Sequence, residues 1–318
     1  MAGANVESKL ERGGTLAVVS PSYPLETVTS ESRIIASRRL KSLGLNTVVH
    51  EGVDTIEERV SEIHEAYLNP GIDGLISSIG GYRANQILND INWDIVAKNP
   101  KPFIGFSDIT VVLNAIYAKT GATTYLGPHF STFGQVHFDE FTTRSFKDVL
   151  MNNQMTRIET SKAWTDDLWF MDQEDRNPIE NKGRWHIQDG NFRGTAIGGN
   201  LCSMNLLQGT EYWPQVDNPI TIVEDTSMSN IGFFDRDLQS LLHAQEIGGL
   251  IIGRFQKGSK ITREMVEESV ATKKELVGKP VVANVDIGHT LPIATIPIGG
   301  IVDLAVRGKK SYITIVEH

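Results

Sequence analysis

The stretch Pro102-Phe103-Ile104-Gly105-Phe106-Ser107-Asp108-Ile109-Thr110 decides the fold. A short apolar run ends at Gly105, and from Val111 to Tyr117 apolar residues recur at helical spacing, so the segment reads as strand, sharp turn and helix. A serine at such a corner sits on strained backbone above a helix N-terminus, its hydroxyl exposed, in the manner of a nucleophile elbow. Ile109 stands where the usual G-x-S-x-G pattern has its second glycine. On this reading Asp108 is the helix N-cap, and its own backbone N–H is left to face an oxyanion. The plainer alternative is that Ser107 and Asp108 only cap the helix.

Working outward, Thr15 to Val19 reads as a buried strand that the loop Ser20-Pro21-Ser22-Tyr23-Pro24 breaks. Ser30 is expected to cap a helix that stops at Gly44, and Val48-Val49 begins a second strand. Thr55 and Glu58 form a capping box for a helix that Asn69-Pro70 ends. Gly74 to Ile79 is a strand, followed by Gly80-Gly81-Tyr82 and a helical stretch toward Leu88. Such alternation implies right-handed βαβ units and a mostly parallel sheet covered on both faces. Ligands of such sheets sit beyond the carboxyl ends of the strands, where Gly80-Gly81 and Ser107 both lie. Gly80-Gly81 lacks the third glycine and the acidic residue of a dinucleotide fingerprint. It is either a tight turn or a point of close backbone approach, with the N–H of Gly81 a second oxyanion donor beside that of Asp108.

From about 135 to 183 the periodicity fades. Charged and aromatic residues crowd together around Trp164, Trp169, Asp172-Gln173-Glu174-Asp175-Arg176 and Trp185. A helix from Glu140 to Leu150 and then a linker are expected, the tryptophans either covering a junction or lining a cleft. Beyond it, Pro219 to Asp225 is a strand ending in two carboxylates and Leu238 to Gln245 marks a helix. Gly249 to Gly253 is a strand, Ile261 to Lys274 a helix, and Pro280 to Asn284 a strand leading into Asp286-Ile287-Gly288-His289. A final antiparallel hairpin turns at Gly308-Lys309-Lys310. The fold class is therefore α/β: a parallel-sheet nucleophile domain over 1–150, a linker over 151–185 and a mixed β/α domain over 186–318.

The 318 residues are 40% hydrophobic and 22% charged, with a formal net charge of -9. An acidic chain opposes a nucleic-acid polymer as partner. Cys202 is the only cysteine, which excludes an internal disulfide and a cysteine-based metal cluster. The first fourteen residues have no apolar core of signal-peptide length, and no run approaches the ~20 apolar residues of a membrane span. A cytoplasmic location is the simplest expectation. No two histidines have the spacing of a zinc motif, so no metal is expected.

A serine nucleophile needs a base in hydrogen-bond reach and a group to orient that base. Of the eight histidines, His289 follows a strand in a loop preceded by Gly288, and Glu224 ends a strand; both are positions from which α/β enzymes present side chains. On spacing alone, Ser107 with Glu224 and His289 is one triad among several. A non-enzymatic protein holding a small ligand at its glycine-rich strand ends also fits, whereas a flavin or nicotinamide enzyme is disfavoured by the missing fingerprint.

Taken together and in this order, Gly80-Gly81-Tyr82, Gly105-Phe106-Ser107-Asp108-Ile109-Thr110, Gly198-Gly199-Asn200, Val223-Glu224-Asp225 and Gly288-His289 resemble the LD-carboxypeptidase family of serine peptidases. The resemblance runs from about Thr15 to the end and implies a flavodoxin-like nucleophile domain joined to a swivelling β/α domain. It implies Ser107 as nucleophile, His289 as general base, Glu224 as its orienter, and backbone N–H groups of Gly81 and Asp108 as the oxyanion hole. It further implies that Asn200 supports the cleft, that no cofactor is needed and that the protein is a homodimer. The stretch Tyr125 to Gly134 and the long aromatic linker are similar to the branch of microcin C immunity proteins, which cleave an amide between an aminoacyl group and a modified nucleotide. Trp164, Trp169 and Trp185 are then candidates to stack on a nucleobase. The other branch of the family trims terminal D-alanine from murein tetrapeptides. Phe106, where a tyrosine is common, and Arg83, where a small residue often stands, depart from the family pattern.

Overall fold

The computed structural model describes residues 9–138 and 140–318. In the first half, β1 (Thr15–Val19), β2 (Asn46–Val49), β3 (Gly74–Ser77), β4 (Phe103–Gly105) and β5 (Thr124–Leu126) alternate with helices. They pair in parallel in the order β5-β4-β3-β1-β2. Every residue of β3 and β4 is buried, as befits strands covered on both faces.

The helices of this half follow the sequence signals, with local differences. Thr29 rather than Ser30 caps the first helix, its hydroxyl accepting from Ser32 N at 3.2 Å; Thr29 is the last residue with extended backbone, as an N-cap requires. The stretch after Gly80-Gly81 is only a 3-10 turn, Ala84–Ile87, because Asn92 caps a new helix, Trp93–Lys98, a few residues on. The capping box of Thr55 and Glu58 forms as expected.

In the second half, β6 (Thr156–Arg157), β7 (Ala163–Trp164), β8 (Ile179–Glu180), β9 (Trp185–Gln188) and β10 (Gly190–Asn200) come before the helix Leu201–Asn205. There follow β11 (Ile220–Glu224), β12 (Gly249–Gly253), β13 (Val281–Val285), β14 (Ile296–Ile298), β15 (Ile301–Arg307) and β16 (Lys310–Glu317). Eight of these make a second sheet in the order β6-β16-β15-β10-β11-β12-β13-β9, parallel from β10 to β13 and antiparallel at its flanks. The linker region is thus partly structured. β6 extends the second sheet beside β16, while β7 and β8 pair with each other. The helix expected from Ile261 is shorter, Arg263–Ala271, capped by Thr262 and followed by a 3-10 turn at Lys274–Leu276.

Two features lock the halves together. β14 pairs antiparallel with β5 and so completes the first sheet as its sixth strand. The helix Thr110–Thr120, which follows the Ser107 corner, lies against β10: Thr110 Oγ1 accepts from Asn200 N at 2.9 Å. Gly199 allows this approach, since a Cβ there would stand 2.5 Å from Thr110 Oγ1. No helix among the described residues is long and apolar enough to cross a membrane.

Candidate active site

β4 ends at Gly105, Phe106 is extended, and Ser107 has a left-handed backbone with φ of 60°. A side-chain-bearing residue held there is strained, and the corner lifts the hydroxyl clear of the sheet. The side chain of Asp108 is not a helix cap, and neither is that of Ser107. The Asp108 carboxylate instead accepts from Ser22 Oγ at 2.5 Å and from Ala84 N at 2.8 Å. The helix begins through a 3-10 turn, so the carboxylate is free to tie the β1 and β3 loops to the elbow. The backbone N–H groups of Asp108 and of Gly81, whose φ is 146°, have no acceptor among the described residues.

Glu224 is the last residue of β11 and its side chain is fully buried. His289 lies in the loop after β13, one residue beyond Gly288. A Cβ on Gly288 would stand 2.3 Å from Glu224 Oε2, and its φ is 94°, so only glycine lets the loop close on the carboxylate. A carboxylate oxygen can only accept, so Nδ1–H of His289 donates to Glu224 Oε2 at 2.6 Å. That tautomer leaves Nε2 to accept from the Ser107 hydroxyl at 3.0 Å. Burial alone would lower the His289 pKa, but the charge and hydrogen bond of Glu224, with help from Asp225, outweigh it, and the imidazole titrates above its ordinary value.

His129 is a contributor that no local signal singled out. It is buried, stacks on Phe106 with ring centroids 4.1 Å apart, and places Nε2 2.8 Å from Phe106 O. Burial depresses its pKa to about 3, so it is a neutral prop beneath the residue preceding Ser107. Asn200 caps the helix Leu201–Asn205, its Oδ1 accepting from Ser203 N at 3.1 Å. Its Nδ2 is enclosed and has no acceptor among the described residues.

Two cavities meet at Ser107 and His289. One, of about 330 Å³, is lined by Tyr23, Phe106, Trp169 and Phe170 among others and, among the described residues, by no lysine or arginine. The other, of about 450 Å³, is lined by Asp108, Asn200, Asp225, Met228 and Phe233 among others. Of the three candidate tryptophans only Trp169 faces either. Trp164, in β7, lines a neighbouring cavity with Phe138 and Arg176 and lies under the Arg254 guanidinium, 5.2 Å from its ring centroid. Trp185, in β9, is opposite Ala283 of β13 and packs on the core. Strand pairing fixes both away from Ser107. Among the described residues no group of three histidine, cysteine or carboxylate side chains is placed to hold a metal ion.

Comparison with known proteins agrees with this architecture. Residues 16–127 match the LD-carboxypeptidase N-terminal domain and residues 193–304 the LD-carboxypeptidase C-terminal domain. The chain is 41% identical to the putative carboxypeptidase YocD of Bacillus subtilis, over 98% of this chain and 99% of that protein. It is 30% identical to the microcin C7 self-immunity protein MccF of Escherichia coli, over 96% and 94%. Among solved structures, an MccF-like protein from Bacillus anthracis superposes with a TM-score of 0.96 at 40% identity, covering 99% of this chain and 100% of that one. MccF in complex with aspartyl sulfamoyl adenosine superposes with a TM-score of 0.87 at 27% identity, covering 98% of each. With the strained serine, the imidazole and the carboxylate in one line and both domains matched, the chain is a serine hydrolase belonging to the LD-carboxypeptidase family.

Proposed function

We propose that Ser107, His289 and Glu224 act as nucleophile, general base and orienter in cleaving the amide between an aminoacyl group and a modified nucleotide. Ser107 Oγ attacks the acyl carbon while Nε2 of His289 takes its proton. The carbonyl oxygen, now negative, turns to the N–H groups of Gly81 and Asp108. As the tetrahedral centre collapses, the protonated imidazole gives its proton to the departing nitrogen. Water, deprotonated by His289, then releases the acyl group and restores Ser107. The Glu224 carboxylate holds the tautomer and balances the imidazolium. The protein is read as a homodimer needing no cofactor, as the family resemblance implies, and a cytoplasmic location is read from the sequence.

The observation that carries the substrate class is the aromatic cavity beside Ser107, where Trp169 and Phe170 offer aromatic rings for a base and, among the described residues, no lysine or arginine lines the wall to receive a terminal carboxylate. The complex of MccF, at 27% identity, with aspartyl sulfamoyl adenosine supports it. The test is a mass-spectrometric assay against an aminoacyl sulfamoyl-adenosine and a murein tetrapeptide. Preferential hydrolysis of the first is expected; release of D-alanine with no cleavage of the first would transfer the protein to the murein-trimming branch.

A further inference from the structure

The second cavity at Ser107 carries charge that the triad does not use. Asp225, directly after Glu224, is only 5% exposed yet lines this cavity together with Ser107 and His289. Its carboxylate accepts from Thr226 N at 2.8 Å and from the Ser229 side chain, and it forms no ion pair with a lysine or arginine among the described residues. Burial raises its pKa, so a cation arriving in the cavity would favour its ionised form. The one guanidinium lining the cavity, Arg236, is already engaged by Asp237 at 2.7 Å. Three carboxylates, those of Asp108, Asp225 and Asp237, thus line the cavity beside one guanidinium, and an incoming anion meets net negative charge. In the same cavity Asn200 holds an enclosed amide nitrogen without an acceptor among the described residues.

Asp108 borders this cavity and not the aromatic one. With the leaving nucleotide placed against Trp169, as proposed above, the acyl residue on the other side of the scissile bond turns toward this cavity. We propose that this cavity receives the acyl residue of the substrate, and that Asp225 binds a primary ammonium carried by that residue, so that acyl residues with a free acidic side chain are disfavoured. The inference rests on the amide-hydrolase reading above. The ammonium is either the α-amine of an aminoacyl group or the side-chain amine of a diamino acid in a cell-wall peptide; the recognising chemistry is the same.

The test is steady-state kinetics on two pairs of substrates: alanyl sulfamoyl-adenosine and its N-acetyl derivative, and a tetrapeptide containing a diamino acid with its side-chain amine free or acetylated. Aspartyl sulfamoyl-adenosine is run beside them. For wild-type protein, acetylation in the pair that is turned over is expected to raise KM about tenfold or more, the scale of a lost charge-assisted hydrogen bond. The aspartyl compound is expected to be cleaved with a kcat/KM about tenfold or more below the alanyl one, a like-charge penalty of similar scale. The pair that responds identifies the source of the ammonium. Asp225→Asn is expected to bring the free-to-acetylated ratio near one, whatever it does to kcat through His289. An unchanged ratio in Asp225→Asn, insensitivity of the wild type to acetylation, or equal cleavage of aspartyl and alanyl compounds overturns the inference while leaving the hydrolase reading intact. The wild-type comparisons stand even if the variant does not fold. Turnover of neither pair by wild type overturns the hydrolase reading, and this inference with it.

Discussion

Asn114 grips the backbone of Gly198 with both ends of its amide, Nδ2 donating to Gly198 O at 2.9 Å and Oδ1 accepting from Gly198 N at 3.0 Å. Asn114 lies two turns into the helix that starts at the Ser107 corner. Gly198 is in β10, whose neighbour β11 carries Glu224 in register with Asn200. One side chain thus joins the serine half of the triad to the carboxylate half, in a fully buried setting.

Asn114→Leu keeps the volume and leaves both Gly198 groups buried without partners. Each such group costs ~1–3 kcal/mol. A fall in stability of about 2 kcal/mol or more is expected in denaturant unfolding, with kcat reduced more than KM is raised. A variant as stable and as active as wild type would mean that the contact does not set the triad.

Ser107→Ala is expected to fold normally and to lose on the order of 10³ or more in kcat. His289→Ala should lose a comparable amount, and the double variant little more than either, because the two act as a unit. Multiplying losses in the double variant would break the assignment.

The pH profile follows from the direction of the His289 shift. The base works only as neutral imidazole, and Glu224 holds its pKa above the ordinary histidine value. The acid limb of kcat/KM should therefore lie above that value, with activity lost as pH falls through it. Glu224→Gln removes the charge that raises the pKa, so the limb should move to lower pH while kcat drops by on the order of 10³ or more. A limb that stays in place would show that another group titrates.

Trp169→Ala should raise KM for an aminoacyl sulfamoyl-adenosine about tenfold or more, since base stacking is worth ~1–3 kcal/mol, and barely alter stability. Trp185→Ala, in contrast, opens a void against the core and should lower the melting temperature while affecting all substrates alike. The opposite pattern would move the base away from Trp169.

The alternation of strands and helices, the capping box at Thr55 and the serine corner were legible in the chain, because hydrophobic periodicity and turn chemistry act over a few residues and report which face is buried. Those signals end where contacts become distant. Ser107 and His289 are 182 positions apart, and nothing near either specifies that their side chains meet at 3.0 Å. That meeting depends on the packing of Thr110, Asn114, Gly198 and Gly199 between the two sheets and on the return of β14 to the first sheet. In the chain alone the Asp108 carboxylate reads as a local cap, whereas the tertiary structure brings remote donors, Ser22 and Ala84, close enough to claim it. The three tryptophans looked equivalent in an irregular stretch; pairing of β7 with β8 and of β9 with β13 placed Trp164 and Trp185 elsewhere and left Trp169 at the cavity. Sequence set the local conformations, and long-range packing of complementary surfaces decided which of them share a site.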